Sequence, residues 1–155
     1  MTHARPDVIK NAFDRQLTAH GLTRRSNSWY QSTAETICVL ELQVSHLSSK
    51  YYLNLGVLLR DLDGEPFPKE RLCHVRARWN DLVDEDQSAR IDHLLDLESS
   101  IEEAGRVDVV EVLIRDSLIP LVSACSSLDS LRSGPGRVVV DNALVAAAAI
   151  PVLTG

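Results

Sequence analysis

Residues 36–59 read TICVLELQVSHLSSKYYLNLGVLL, and the period of their apolar positions decides the fold. A helix repeats its apolar face every three to four residues, whereas here the repeat is two. In the first run Cys38, Leu40, Leu42 and Val44 fall on one side, and Ile37, Val39, Glu41, Gln43 and Ser45 on the other. In the second, Tyr51, Leu53, Leu55, Val57 and Leu59 oppose Tyr52, Asn54, Gly56, Leu58 and Arg60. The polar residues 48–50 between the runs suit a short antiparallel connection. The stretch therefore predicts two paired strands, over 36–47 and 51–60, with one apolar face buried.

Outward from this pair, residues 28–32 and 72–79 carry the same strand signal, and the longer connection 61–71 contains Gly64, Pro66 and Pro68. In 72–79 (LCHVRARW), Cys73, Val75, Ala77 and Trp79 take one side and His74, Arg76 and Arg78 the other. Upstream, Val8, Ile9, Ala12, Phe13 and Leu17 are spaced for an amphipathic helix over 6–20, with Pro6 near its start and Gly21 after its end.

Downstream the period is helical again. Ile91, Leu94 and Leu95 follow an acidic start at Asp84, Glu85 and Asp86, which suits a helix N-terminus. Ser99 and Glu102 read as a capping box before a short turn ending at Gly105. Val107, Val110, Ile114, Leu118, Leu121 and Cys125 form one stripe of a long helix that Pro120 must kink or split. The SGPG sequence at 133–136 is a strong breaker. The expected architecture is α+β: an N-terminal helix, a four-stranded antiparallel β-meander, and C-terminal helices packed on one face of the sheet. This domain is expected over 1–133. Residues 134–155 are expected to be a tail, with either a strand over 138–140 or an Ala-rich helix over 142–150.

A chain of 155 residues, 45% apolar and 25% charged, has the size and composition of one folded domain. The net charge of −6 is uneven. Residues 1–80 hold 11 Lys+Arg against 8 Asp+Glu, a balance of +3; residues 81–155 hold 5 against 14, a balance of −9. The acidic total disfavours nucleic-acid binding, which depends on neutralising phosphates. Cys38, Cys73 and Cys125 are far apart, without a CxxC pair, and no secretory leader is visible, so a reduced cytoplasmic protein is expected. The apolar run 143–153 is too short to span a bilayer, which needs about 20 residues.

Three segments, GLTRRSNSWY (21–30), 37–59 and LCHVRARW, together resemble the bacterial family called domain of unknown function 4304. Its members show a helix ending in a basic turn before an aromatic-tyrosine pair, a strand ending near LQxS, a YYxNxG strand and a CHxRxR strand. The resemblance covers roughly residues 7–80. Leu22 stands where the family more often has Phe, and Val44 where Lys is common. The resemblance implies a helix, an antiparallel sheet and further helices, and it carries no established activity.

If the apolar sets of three strands share the core, the opposite side gathers Glu41, Gln43, Ser45, Tyr52, Asn54, Gly56, His74, Arg76 and Arg78. This is the candidate binding face. It could be self-satisfied by Glu41 pairing with Arg76 or Arg78 and Gln43 with Asn54. Gly56 inside a strand marks a bulge, a helix packing over the sheet, or a low spot where a ligand or partner sits. A secondary candidate is Arg24, Arg25, Trp29 and Tyr30, readable as an anion-binding lip with stacking rings. The competing reading is that the arginines favour a helix C-terminus and Trp29 is core.

Catalytic signals are weak. His74 beside Glu41 would need a nucleophile, and only Ser45 or Tyr52 is near in the pattern. Adjacent Cys73 and His74 point to opposite faces of a strand, which disfavours a shared zinc site. No catalytic residue, metal site or cofactor is therefore assigned. The sequence favours a non-enzymatic cytoplasmic domain that binds a protein partner, immunity- or accessory-like, through the polar face. The alternative is a small anionic ligand or nucleotide, bound and possibly transformed, on the same face.

Overall fold

The computed structural model describes residues 5–154; residues 1–4 and Gly155, at the ends of the expected domain and tail, lie outside it. Helix α1 spans Arg5–Ala19. Gly21 ends it with a φ of 89°, where a side chain would be strained. Its N–H donates to Thr18 O and that of Leu22 to Leu17 O, both at 3.0 Å. This double bond pattern caps the helix and turns the chain into the sheet.

The sheet is antiparallel throughout and follows chain order: β1 Thr23–Arg25, β2 Ser28–Ser32, β3 Thr36–Val44, β4 Tyr51–Leu59, β5 Val75–Arg78 and β6 Leu144–Val145. It has six strands, not the expected four. β1 escaped because Thr-Arg-Arg has no apolar residue and all three are exposed. β6 lies in the stretch read as a tail.

Register places Leu40 opposite Leu55 and Trp29, Leu42 opposite Leu53, and Leu55 opposite Ala77. These apolar positions join Ile9, Phe13 and Leu17 of α1 in one buried core. Both tryptophans flank Phe13, with ring centroids 6.4 Å away for Trp29 and 6.3 Å for Trp79. The expected alternation thus buries the predicted side of 36–59. Val44, at the end of β3, is exposed instead.

Helix α2 spans Glu85–Leu95, capped by Asp84, whose carboxylate accepts the Gln87 N–H at 2.8 Å. Helix α3 spans Glu103–Leu113. The expected Ser99–Glu102 capping box does not form: Glu102 is the cap residue and makes no side-chain cap bond. Ser99 Oγ instead donates to the carbonyls of His93 and Asp96. It also accepts from Arg106, whose buried guanidinium gathers the carbonyls of Leu94, Asp96 and Ser99 at the end of α2. Gly105 lies inside α3 rather than ending a turn.

Pro120 splits the long stripe as expected. One wide π-type turn, Ile114–Leu118, separates α3 from α4, Ile119–Ala124. The wide turn removes the demand for the backbone donor that Pro120 lacks.

The segment expected as a tail is structured. After α5, Leu128–Ser133, which closes the expected domain, it holds α6 Arg137–Asp141 and α7 Ile150–Thr154. Residues 138–140 are therefore helical, and the Ala-rich stretch is not one helix but β6, a 3-10 turn at Ala147–Ala149, and the start of α7. Val139, Ala149 and Leu153 are buried in the same core as α1 and the sheet. Val145 pairs with Val75, and Ala146 N–H donates to His74 O at 2.8 Å.

Candidate functional site

The sheet face opposite the main core is divided in two. One half is covered by the chain itself. Tyr30, Ile37, Val39, Leu58 and Cys73 form a second buried cluster, with Phe67 of the β4–β5 connection packed on it. The Phe67 ring meets Tyr30 edge-on at 5.3 Å, and the Arg25 guanidinium lies 3.7 Å from the Phe67 centroid.

Gly56 is explained here. A β-carbon at this position would come within 2.9 Å of Cys73 Sγ and 3.0 Å of Cys73 Cβ. The low spot is occupied by the protein's own cysteine. Cys73 was expected on the core side, and its displacement has a simple cause. Strand β5 begins only at Val75, after a 3-10 turn at Glu70–Leu72, so two-residue alternation does not extend back to Cys73. Burial, assisted by the Glu70 carboxylate, pushes the Cys73 thiol up to about 12.

His74 serves the backbone. Its Nδ1 accepts the Leu59 N–H at 2.9 Å, and its own N–H donates to Val57 O at 3.0 Å. With Nδ1 an acceptor, the neutral ring carries its proton on Nε2, and Nδ1 has no lone pair left for base work. Ser45 lies in the β3–β4 connection, where its Oγ accepts the Leu47 N–H at 3.2 Å. His74, Glu41 and Ser45 are thus not linked by any hydrogen bond, and no nucleophile–base pair forms among them.

Arg76 also departs from expectation. Register sets it opposite Gly56, while Glu41 faces Asn54 and Ser28. Its partner is Glu70: Nε donates to Oε2 at 3.0 Å and Nη2 to Oε1 at 3.3 Å. This fork-to-fork pair holds the Arg76 pKa above its ordinary value. Glu70 is 4% exposed. Sequence reasoning missed it because it sits in a proline-bearing loop that reads as solvated.

The other half of the face is open. Asn54 Nδ2 donates to Gln43 Oε1 at 2.7 Å, the expected cross-strand pair. Arg78 Nε donates to Asn54 Oδ1 at 3.3 Å, and its guanidinium carbon stacks 4.0 Å from the Tyr52 centroid. Lys50 Nζ lies 5.2 Å from the same ring and 3.2 Å from Asp92 Oδ1. A shallow groove of about 430 Å³ borders this array, lined by Asn54, Glu70, Arg76, Arg78, Asp81 and Asn142 among others.

The secondary candidates do not form one surface, because neighbours on a strand point to opposite sides. Trp29 is fully buried and donates Nε1–H to Asp14 Oδ1 at 3.0 Å, while Arg24 pairs with Asp14 Oδ2 at 3.1 Å. Arg25 and Tyr30 go to the other face with Phe67. Elsewhere, Cys38 and Cys125 are buried free thiols, and the neighbouring Cys125 together with burial holds the Cys38 thiol well above its ordinary pKa. Among the described residues no cluster of three or more His, Cys, Asp or Glu could hold a metal ion, and no helix is long and apolar enough to cross a membrane.

The model of a domain of unknown function, DUF4304, matches residues 13–124, so the chain belongs to that family. The match extends past β5 to the end of α4. Asn142 and its neighbours, which line the groove, lie outside it. No curated protein and no solved structure matches the chain.

Proposed function

We propose that this chain is a non-enzymatic binding domain of the bacterial cytoplasm, immunity- or accessory-like, that recognises a protein partner through the open half of its polar sheet face. The observation that carries the reading is the array Gln43–Asn54–Arg78–Tyr52. Each of its members is held by the next, and three strands set their positions. Such side chains lose little entropy on binding, and stacked Arg and Tyr are the residue types that dominate interface energetics. The immunity-like role itself is an analogy from size, acidity and fold class.

The small-ligand alternative has less support. The groove is shallow, and Arg76, which would have clasped an anion, already has its fork closed on Glu70. His74, the one candidate base, is committed to Leu59.

Affinity capture from the organism that encodes the chain tests the reading, with wild type compared against a Tyr52→Ala/Arg78→Ala variant of unchanged circular dichroism and Tm. The expected result is a specific partner lost with the variant. An identical captured set from both proteins would overturn it. Arg76 is left intact because removing it would strand the buried Glu70 carboxylate.

A further inference from the structure

We infer that Arg78 is a receptor for one side-chain carboxylate of an extended peptide segment lying in the groove beside β5. This deepens the proposed binding role and rests on it. Arg76 and Arg78 lie two apart on β5 and are half-buried, yet they differ in one respect. Arg76 has both arms on Glu70. Arg78 has no carboxylate within ion-pair distance among the described residues. Its Nε–H is used by Asn54, which leaves the N–H groups of both terminal nitrogens for a visitor. Tyr52 beneath the guanidinium plane and Asn54 at its Nε fix the fork before anything binds. A planar fork held this way matches a carboxylate in two parallel bonds.

The groove also says what does not fit. Asp81 lines it with no ion-pair partner among the described residues, and Glu70 adds a second carboxylate already balanced by Arg76. Asp81 repels any anion in the groove, but a dianionic phosphate about twice as strongly as a single carboxylate, so a monoanion is the better match to the one unpaired guanidinium of Arg78. The shallow groove is open to solvent, so a chain can pass through it and present a Glu or Asp side chain to Arg78.

The test is a nuclear magnetic resonance titration of the full chain at constant ionic strength, following the Arg78 Nε–Hε and Asn54 side-chain amide signals. The probes are acetyl-Gly-Glu-Gly-amide, acetyl-Gly-Gln-Gly-amide and inorganic phosphate. The expected result is a saturable shift with the Glu peptide, at least about tenfold tighter than with the Gln peptide, as loss of a charged hydrogen-bond pair implies. Phosphate should bind more weakly than the Glu peptide. Arg78→Lys, which keeps the charge but not the fork, should lose about tenfold in affinity at unchanged Tm. Asn54→Asp, which supplies a carboxylate from inside, should abolish the Glu-peptide shift. Equal response to the Glu and Gln peptides, phosphate binding as tight as the Glu peptide, or wild-type affinity in either variant overturns the inference. If the Glu peptide titrates Arg78 but Tyr52→Ala/Arg78→Ala captures the same partners as wild type, the binding role fails and the carboxylate site stands. If the partner is lost but the Glu peptide fails to bind, the carboxylate site fails alone.

Discussion

Gly56 and Cys73 are matched partners: the absence of one side chain makes room for the other. Restoring a β-carbon at 56 forces contacts of 2.9 Å to Sγ and 3.0 Å to Cβ of Cys73, and 3.2 Å to Val39 Cγ1. Overpacking of this kind costs about 1–3 kcal/mol. Gly56→Ala should therefore lower stability by about that amount in a urea titration. Combined with Cys73→Ala, which removes Sγ, the cost of the Gly56 change should shrink, giving a double-mutant coupling of about 0.5 kcal/mol or more. Additive costs would show that Cys73 is not what fills the space. The same thiol has a pH consequence. Its folded pKa of about 12 lies above the ordinary 9.0, so the folded state holds the proton more tightly than the unfolded chain. The contribution of Cys73 to stability is complete below pH 9 and is lost as pH rises toward about 12. At pH 8 the thiol is protonated, and Cys73 should not react with a disulfide reagent until the protein unfolds. Rapid native labelling at Cys73 would contradict its burial.

At the scale of the element, what the sequence made legible follows element length and burial. Strands β3 and β4 were readable because nine residues each give several cycles of alternation against one buried face. The acidic cap of α2 and the break at Pro120 were readable because capping and proline chemistry act locally. β1 and β6 were not, since strands of three and two residues contain too little pattern. The five-residue helices α6 and α7 are likewise shorter than two turns, so no apolar stripe can declare itself. Of the candidate site, the polar face could be collected by parity of position. The partner of Arg76 could not, because Glu70 reaches it from a turn whose path no periodicity describes. The short C-terminal elements yield a sharp prediction. Leu153 is 1% exposed. Leu153→Ala should cost about 2–5 kcal/mol, as a core leucine does, measured by chemical denaturation. A cost near zero would return this segment to the status of a tail.

For the whole molecule, the decisive point is that one buried core takes side chains from α1, the sheet, α2 to α6, and the final helix. The family model stops at residue 124, yet Val139, Ala149 and Leu153 lie in the core that its residues build. The groove follows the same division, with Arg76, Arg78 and Asp81 inside the matched region and Asn142, Ala143 and Leu144 outside it. Its shape therefore depends on the C-terminal segment being folded whenever the sheet is. Shared burial makes this an equilibrium statement: removing α7 from the core exposes apolar surface on α5, against which it packs, as well as its own. Unfolding in urea should accordingly be a single transition. Fluorescence of Trp29 and Trp79, both buried, should coincide with far-ultraviolet circular dichroism. Hydrogen exchange adds a local reporter, because the Ala146 N–H is held by His74 O across β5 and β6. Its protection should approach that of the β3 and β4 amides if the segment opens only with the whole fold. A markedly lower protection at Ala146, with a second transition at low urea, would mean that the C-terminal segment detaches by itself, and that the groove opens and closes with it.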